Sequence, residues 1–232
     1  MILLSEIYNQ VMEITTHEIQ VTKQARYAAY GNLTEQTKYF WFALHGSKML
    51  CEQLLYKFEN FDPNEHFVIA PEGLSRFYLN GFGGDVVATW MTSRDRLMEI
   101  SDFSDYLSKL YNLYTKKLNT SATKIVLGFS QGGTTAMRWL HHNQVDLDHL
   151  LLYASWIPED IDLQASQTKL KSFSKHYTYG TEDQFLSESR IEGLNKVISK
   201  NDLSIQMYPY SGKHRIEKSQ LEYLFESIIR RP

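Results

Sequence analysis

Thr123-Lys124-Ile125-Val126-Leu127-Gly128-Phe129-Ser130-Gln131-Gly132-Gly133 is the stretch on which the reading of the fold turns. Residues 123–127 are a short β-branched and apolar run, the composition of a buried strand. Residues 131–143 then read as a helix. Between the two, Gly128-x-Ser130-x-Gly132 makes a sharp strand-to-helix turn that lifts a serine hydroxyl out of the sheet. Side chains two positions either side would collide with the neighbouring strand and helix, which favours glycine there. The following helix aims its free N–H groups and partial positive charge at the same spot. Three fixed positions recur by chance roughly once in ten to fifteen chains of this length, so the flanking strand and helix carry the weight. Alone, the pentapeptide is equally a glycine-rich turn with a surface serine.

On both sides of this turn short β-type runs alternate with helical patterns, which implies an α/β architecture. Upstream, residues 17–30 hold β-branched positions such as Ile19 and Val21 that could supply one or two early strands. Residues 38–44 (KYFWFAL) form a continuous apolar run, as a strand covered on both faces requires. Leu50, Leu54, Leu55 and Phe58 carry a helical spacing, and residues 66–70 (HFVIA) read as another buried strand. Residues 71–91 contain four glycines and no clear period, so they read as a long loop. A strong helix follows, with Thr92 or Ser93 as its N-cap and an apolar stripe of Leu97, Ile100, Phe103, Leu107, Leu110, Tyr111, Tyr114 and Leu118. Beyond Asn143, strands are predicted at 150–153, 173–179 and 203–208, and helices at 187–200 and 217–229. Only 19 residues separate Tyr153 from Phe173, which leaves no room for a large cap domain.

Composition narrows the function classes. The chain has 232 residues, 43% hydrophobic and 22% charged, with no linker or repeat dividing it, so one domain is expected over residues 1–232. A formal charge of −3 argues against a nucleic-acid binder. No apolar run reaches the roughly 18 residues of a membrane span. Met1-Ile2-Leu3-Leu4-Ser5-Glu6 is briefly apolar but lacks a basic flank, so a secretory signal is not expected and a cytoplasmic location is. The single cysteine, Cys51, excludes an internal disulfide and any multi-cysteine metal site.

A serine hydroxyl is a weak nucleophile and needs a base, itself oriented by a third group. With the serine on such a turn, the expected chain order is serine, then Asp or Glu, then His. Downstream, Asp183 follows the strand 173–179, with Glu182 as its rival one residue away. His214 follows the strand 203–208. Among eight histidines only His214 lies on a loop after a late strand and beyond the acid. The N–H of Gln131 is one candidate donor for an oxyanion. The loop Leu44-His45-Gly46-Ser47 supplies the other, and the N–H of Ser47 is the candidate. Phe82, Trp90 and Trp156 are the aromatic candidates for walling a substrate site.

These motifs, Leu44-His45-Gly46, Gly128-Phe129-Ser130-Gln131-Gly132-Gly133, Gly180-Thr181-Glu182-Asp183 and Gly212-Lys213-His214, resemble the α/β-hydrolases of the carboxylesterase/phospholipase family, which includes acyl-protein thioesterases. The resemblance spans roughly residues 38 to 229. It implies a mostly parallel sheet with helices on both faces. It also implies a serine hydrolase acting on small-molecule carboxylic esters or thioesters through an acyl-enzyme, without metal or cofactor. The chain departs from the family in two places. Ser47-Lys48-Met49-Leu50 replaces a glycine- and aspartate-rich loop, and Lys213 and Arg215 flank His214, where they could form a cationic rim. A binding module on the same scaffold, a peptidase and an acyltransferase remain alternatives, and the oligomeric state is not written in the sequence.

Overall fold

Side chains alternate across a strand, and in this protein both faces of the sheet are apolar. The computed structural model describes residues 14–230, so the expectation about a leader at residues 1–6 lies outside the described residues. Among the described residues there are nine strands, β1 (Tyr27–Tyr30), β2 (Tyr39–Leu44), β3 (His66–Pro71), β4 (Ser75–Asn80), β5 (Gly83–Thr89), β6 (Thr123–Phe129), β7 (His149–Tyr153), β8 (Ser174–Gly180) and β9 (Ile205–Tyr210). The helices are α1 (Cys51–Leu55), α2 (Arg96–Thr115), α3 (Gln131–His142), α4 (Gln167–Leu170), α5 (Glu188–Lys200) and α6 (Lys218–Leu224). Seven strands form one sheet in the order β1-β3-β2-β6-β7-β8-β9, with β1 antiparallel at the edge and every other pairing parallel.

Parallel strands buried on both sides need two layers of helices. Phe40, Phe42, Leu44, Val126, Leu150 and Leu152 face α2 and α3, meeting Ile100, Phe103, Leu107, Trp139 and Leu140. The intervening residues Trp41, Ala43, Ile125, Leu127, Leu151 and Tyr153 face Leu54, Phe58, Leu221, Leu224 and Phe225. Each large side chain so buried contributes about 1.5–3 kcal/mol relative to exposure. The unbroken apolar run 39–44 is thus two interleaved sets, one for each face.

Several local expectations are corrected. Residues 71–91 are not a loop: β4 and β5 form an antiparallel hairpin, pairing Phe77 with Val87 and Tyr78 with Val86. Its outer half is exposed on both faces, so no polar–apolar alternation marks the strands. Helix α2 starts at Arg96, after Asp95 at φ 50°. Thr92 does not cap it; its N–H donates to the Glu99 carboxylate at 2.6 Å. Leu97 is exposed and leaves the apolar stripe, while Ile100 through Tyr111 keep it. In residues 17–30 only β1 is a strand, and Ile19 and Val21 are exposed without regular structure. The segment from Tyr153 to Phe173 holds only the single turn α4, so no large cap is present there.

Candidate active site

Strand β6 is the middle strand of the seven, and the parallel arrangement delivers the loops after β2, β6, β8 and β9 to one edge. Ser130 sits at the turn from β6 to α3 with φ 51° and ψ −118°, a left-handed conformation that costs a non-glycine residue about 1–3 kcal/mol. Two bonds hold it there. Its N–H donates to the Tyr153 carbonyl at 2.9 Å, and its own carbonyl accepts from the Gly133 N–H at 3.0 Å. The flanking glycines are required by contact. A Cβ on Gly128 would lie 2.5 Å from Gly133 Cα, and one on Gly132 would lie 2.2 Å from the Leu44 carbonyl oxygen.

The acid and the imidazole arrive on loops zipped to one another. Gly180 pairs with Tyr210 in the β8–β9 register. Past that pair Thr181 N–H donates to the Tyr210 carbonyl and Glu182 N–H to the Gly212 carbonyl, each at 2.8 Å. A Cβ on Gly180 would meet the Gly212 carbonyl oxygen at 2.1 Å, so only glycine lets the loops approach. His214 Nδ1 then lies 2.6 Å from Asp183 Oδ2, and His214 Nε2 lies 3.0 Å from Ser130 Oγ. A carboxylate only accepts, so Nδ1 carries the proton, and in the neutral ring Nε2 is left to accept from the serine hydroxyl. Asp183 is buried, and its other oxygen accepts the Phe185 N–H at 2.8 Å. Glu182, the rival acid, points elsewhere and accepts from the Ser211 hydroxyl at 3.1 Å.

The imidazole is also packed. Phe129 and Phe185 lie against it with ring centroids 5.1 and 4.8 Å away. No sequence motif singles out either ring for this contact. Phe185 is two residues past the acid, and only the loop's path turns it back onto His214.

The loop 44–47 crosses the same edge. Gly46 lies so close to the turn that a Cβ on it would be 2.9 Å from the Phe129 ring and 3.3 Å from Ser130 Cβ. The buried ring of His45 staples this loop. Its Nε2 accepts the Gly73 N–H at 2.9 Å, which leaves Nδ1–H to donate to the Gly46 carbonyl at 2.7 Å. Burial lowers its pKa and favours this neutral form. Ser47, next along, is exposed.

The aromatic candidates separate. Trp90 is 1% exposed, and its indole N–H donates to the His45 carbonyl at 2.8 Å. It is a core residue beneath the loop and offers no surface to a substrate, because its ring is taken up by His45 and Phe103. Phe82 stands at the hairpin tip and is fully exposed. Trp156 is half-buried with its ring edge against Gly193 of α5. The expected cationic rim is reduced, since Arg215 pairs with Glu217.

The one group of three metal-donor side chains among the described residues is Cys51, Glu52 and Glu72. Arg26 pairs with Glu52 and Arg76 lies 3.8 Å from Glu72, so protein cations already face both carboxylates. Burial, with Glu72 beside it, pushes the Cys51 thiol up to about 11 and keeps it protonated. No helix among the described residues is long and apolar enough to cross a membrane.

A mostly parallel sheet with helices on both faces, and a strand-to-helix turn carrying Ser130 at its centre, defines an α/β-hydrolase fold. The chain belongs to the phospholipase/carboxylesterase family, whose model matches residues 56–230. Solved structures share the fold at low identity. Acyl-protein thioesterase 2 of Zea mays is 16% identical with a TM-score of 0.65, over 89% of this chain and 98% of that one. The Bacillus cereus carboxylesterase is 15% identical with a TM-score of 0.63, over 88% and 92%. A single-substitution variant of Arabidopsis thaliana SOBER1 is 15% identical with a TM-score of 0.61, over 82% and 98%. No curated protein matches the sequence.

Proposed function

We propose that this protein is a serine hydrolase that cleaves carboxylic esters or thioesters of small molecules through an acyl-enzyme. The observation that carries the reading is a single imidazole bonded on one side to Ser130 Oγ and on the other to a buried carboxylate. In the first half-reaction Ser130 Oγ attacks the acyl carbonyl and its proton passes to His214 Nε2. Asp183 holds the ring in the required tautomer and balances the imidazolium that forms. The N–H groups of Gln131 and Ser47 take the oxyanion, a role in which each donor is worth about 3–4 kcal/mol. His214 then returns the proton to the leaving alcohol or thiol. In the second half-reaction water, activated by the same imidazole, attacks the acyl-serine and releases the acid. These steps need no metal or cofactor.

The names of the structural neighbours, an esterase and an acyl-protein thioesterase, set the substrates to try. The test is a fluorophosphonate probe followed by mapping of the adduct. Labelling at Ser130 that disappears in Ser130→Ala is expected, together with turnover in a panel of acyl esters and thioesters of graded chain length. No labelling, or labelling that survives the substitution, defeats the reading.

A further inference from the structure

The side chain of Gln131 has a use that the proposed chemistry does not require. Oxyanion binding asks only for its backbone N–H, yet its carboxamide makes three hydrogen bonds to one short segment. Its Oε1 accepts from Thr89 Oγ1 at 2.9 Å and from the Trp90 N–H at 3.1 Å, and its Nε2 donates to the Met91 carbonyl at 2.9 Å. The same segment grips the opposite loop. Lys48 N–H donates to the Ala88 carbonyl at 2.9 Å, Ala88 N–H donates to the Met49 carbonyl at 3.2 Å, and the Trp90 indole N–H donates to the His45 carbonyl at 2.8 Å. Residues 88–91, the end of β5 and the positions just after it, therefore bridge the first residue of α3, Gln131, and the loop that carries Ser47.

The bridge is stiff where it makes these bonds. Ala88, Thr89 and Trp90 are buried, and a Cβ on Gly73 would strike the Thr89 carbonyl at 2.4 Å. Further out the same hairpin is exposed, from Phe77 to Val86. Its root is thus fastened by Gln131 and by the loop that carries Ser47, while its outer half stands free of the sheet.

Resting on the proposed acyl chemistry, we infer that the Gln131 carboxamide is a positioning group: with residues 88–91 it sets the separation and aim of the Gln131 and Ser47 N–H donors. An oxyanion donor works only when preorganised at about 2.7–3.1 Å from the forming charge. A misplacement of about 1 Å costs on the order of 10²-fold in rate. The strap would then be felt in turnover and not in substrate affinity, because the oxyanion exists only after attack.

The experiment compares wild type, Gln131→Met, Gln131→Glu and Thr89→Val by steady-state kinetics on one activated ester and by the rate of fluorophosphonate labelling. Gln131→Met keeps the chain length and loses all three bonds. A fall in kcat of about 10–100-fold is expected, with KM within about twofold and the acid limb of the pH profile unmoved, since His214 and Asp183 are untouched. Gln131→Glu keeps an acceptor for Thr89 and Trp90 and is expected to recover part of the loss. Thr89→Val, which removes one bond of the three, is expected to lower kcat by about 2–5-fold and carries the test should Gln131→Met fail to fold. Further loss on adding Thr89→Val to Gln131→Met should be absent, as the bond is already gone. Wild-type kcat and labelling rates in these variants overturn the strap. So does a loss that appears in KM alone. Failure of the wild-type protein to label at Ser130 is a different result, which removes the underlying chemistry and not merely its brace.

Discussion

Two hydrogen-bonded histidine groups lie at opposite ends of the β8–β9 pair, and they are built for opposite behaviour. Past the carboxyl end, His214 has a carboxylate on one nitrogen and a hydroxyl on the other, and its side chain keeps a partly open face at 19% exposure. Near the amino end, His149 Nδ1 and His176 Nε2 lie 3.2 Å apart, and His176 Nδ1 is buried without a partner. Burial, then His149 and Lys175 beside it, holds the His176 ring down to about 4. In the proposed reaction the first imidazole accepts and returns a proton, whereas the second is arranged to stay neutral. The lesson is that a histidine's role follows from the groups on its two nitrogens and from its access to water, not from the presence of a second polar residue.

Substitutions that collapse this contrast should have graded effects. His214→Ala removes the base and should reduce kcat/KM by about 10⁶-fold in an ester assay, leaving only substrate binding and the oxyanion donors. Asp183→Asn keeps the shape but permits the wrong tautomer and should cost about 10⁴-fold by the same measurement. A wild-type rate in either variant would remove the relay from the mechanism.

The buried end should answer in stability instead. His66, whose Nδ1 accepts the Trp41 indole N–H at 3.0 Å, is also pushed down to about 4, chiefly by burial. For a ring whose folded pKa lies below its unfolded value of about 6.5, the unfolded chain takes up the proton first as pH falls. Stability is therefore full above about pH 6.5 and is lost progressively down to about pH 4. Each such ring accounts for a loss on the order of 3 kcal/mol. Urea unfolding at about pH 7.5 and about pH 4.5 should show this drop in wild type and a smaller one in His176→Phe. An equal drop in both would clear His176 of the effect. The smallest change is expected for Glu182→Gln, which should alter neither activity nor stability by more than about twofold, or roughly 0.5 kcal/mol. A loss approaching that of Asp183→Asn would reverse the choice of acid.

Much of this molecule is legible in the chain itself. The apolar runs at 38–44, 66–70 and 123–127 announce strands buried on both faces, and Gly128-x-Ser130-x-Gly132 announces the turn between strand and helix. The order of Ser130, an acid at 182 or 183, and His214 follows from chain position. What stays hidden leaves no hydrophobic period in its own stretch of chain. The hairpin of β4 and β5 is invisible because both faces of its outer half are exposed, so no periodicity is imposed on it. Trp90 reads as a loop aromatic and is core, because the hairpin root turns it under His45.

The amino-acid sequence by itself determined the architecture and the kinds of group available, since hydrophobic periodicity and the glycine-flanked strand-to-helix turn are read from adjacent residues. The tertiary structure alone decided which carboxylate, 182 or 183, meets the imidazole, because adjacent residues on a loop point in different directions. It alone also bound the Gln131 carboxamide to Thr89, Trp90 and Met91 across about 40 residues of chain, an alignment that no local pattern encodes.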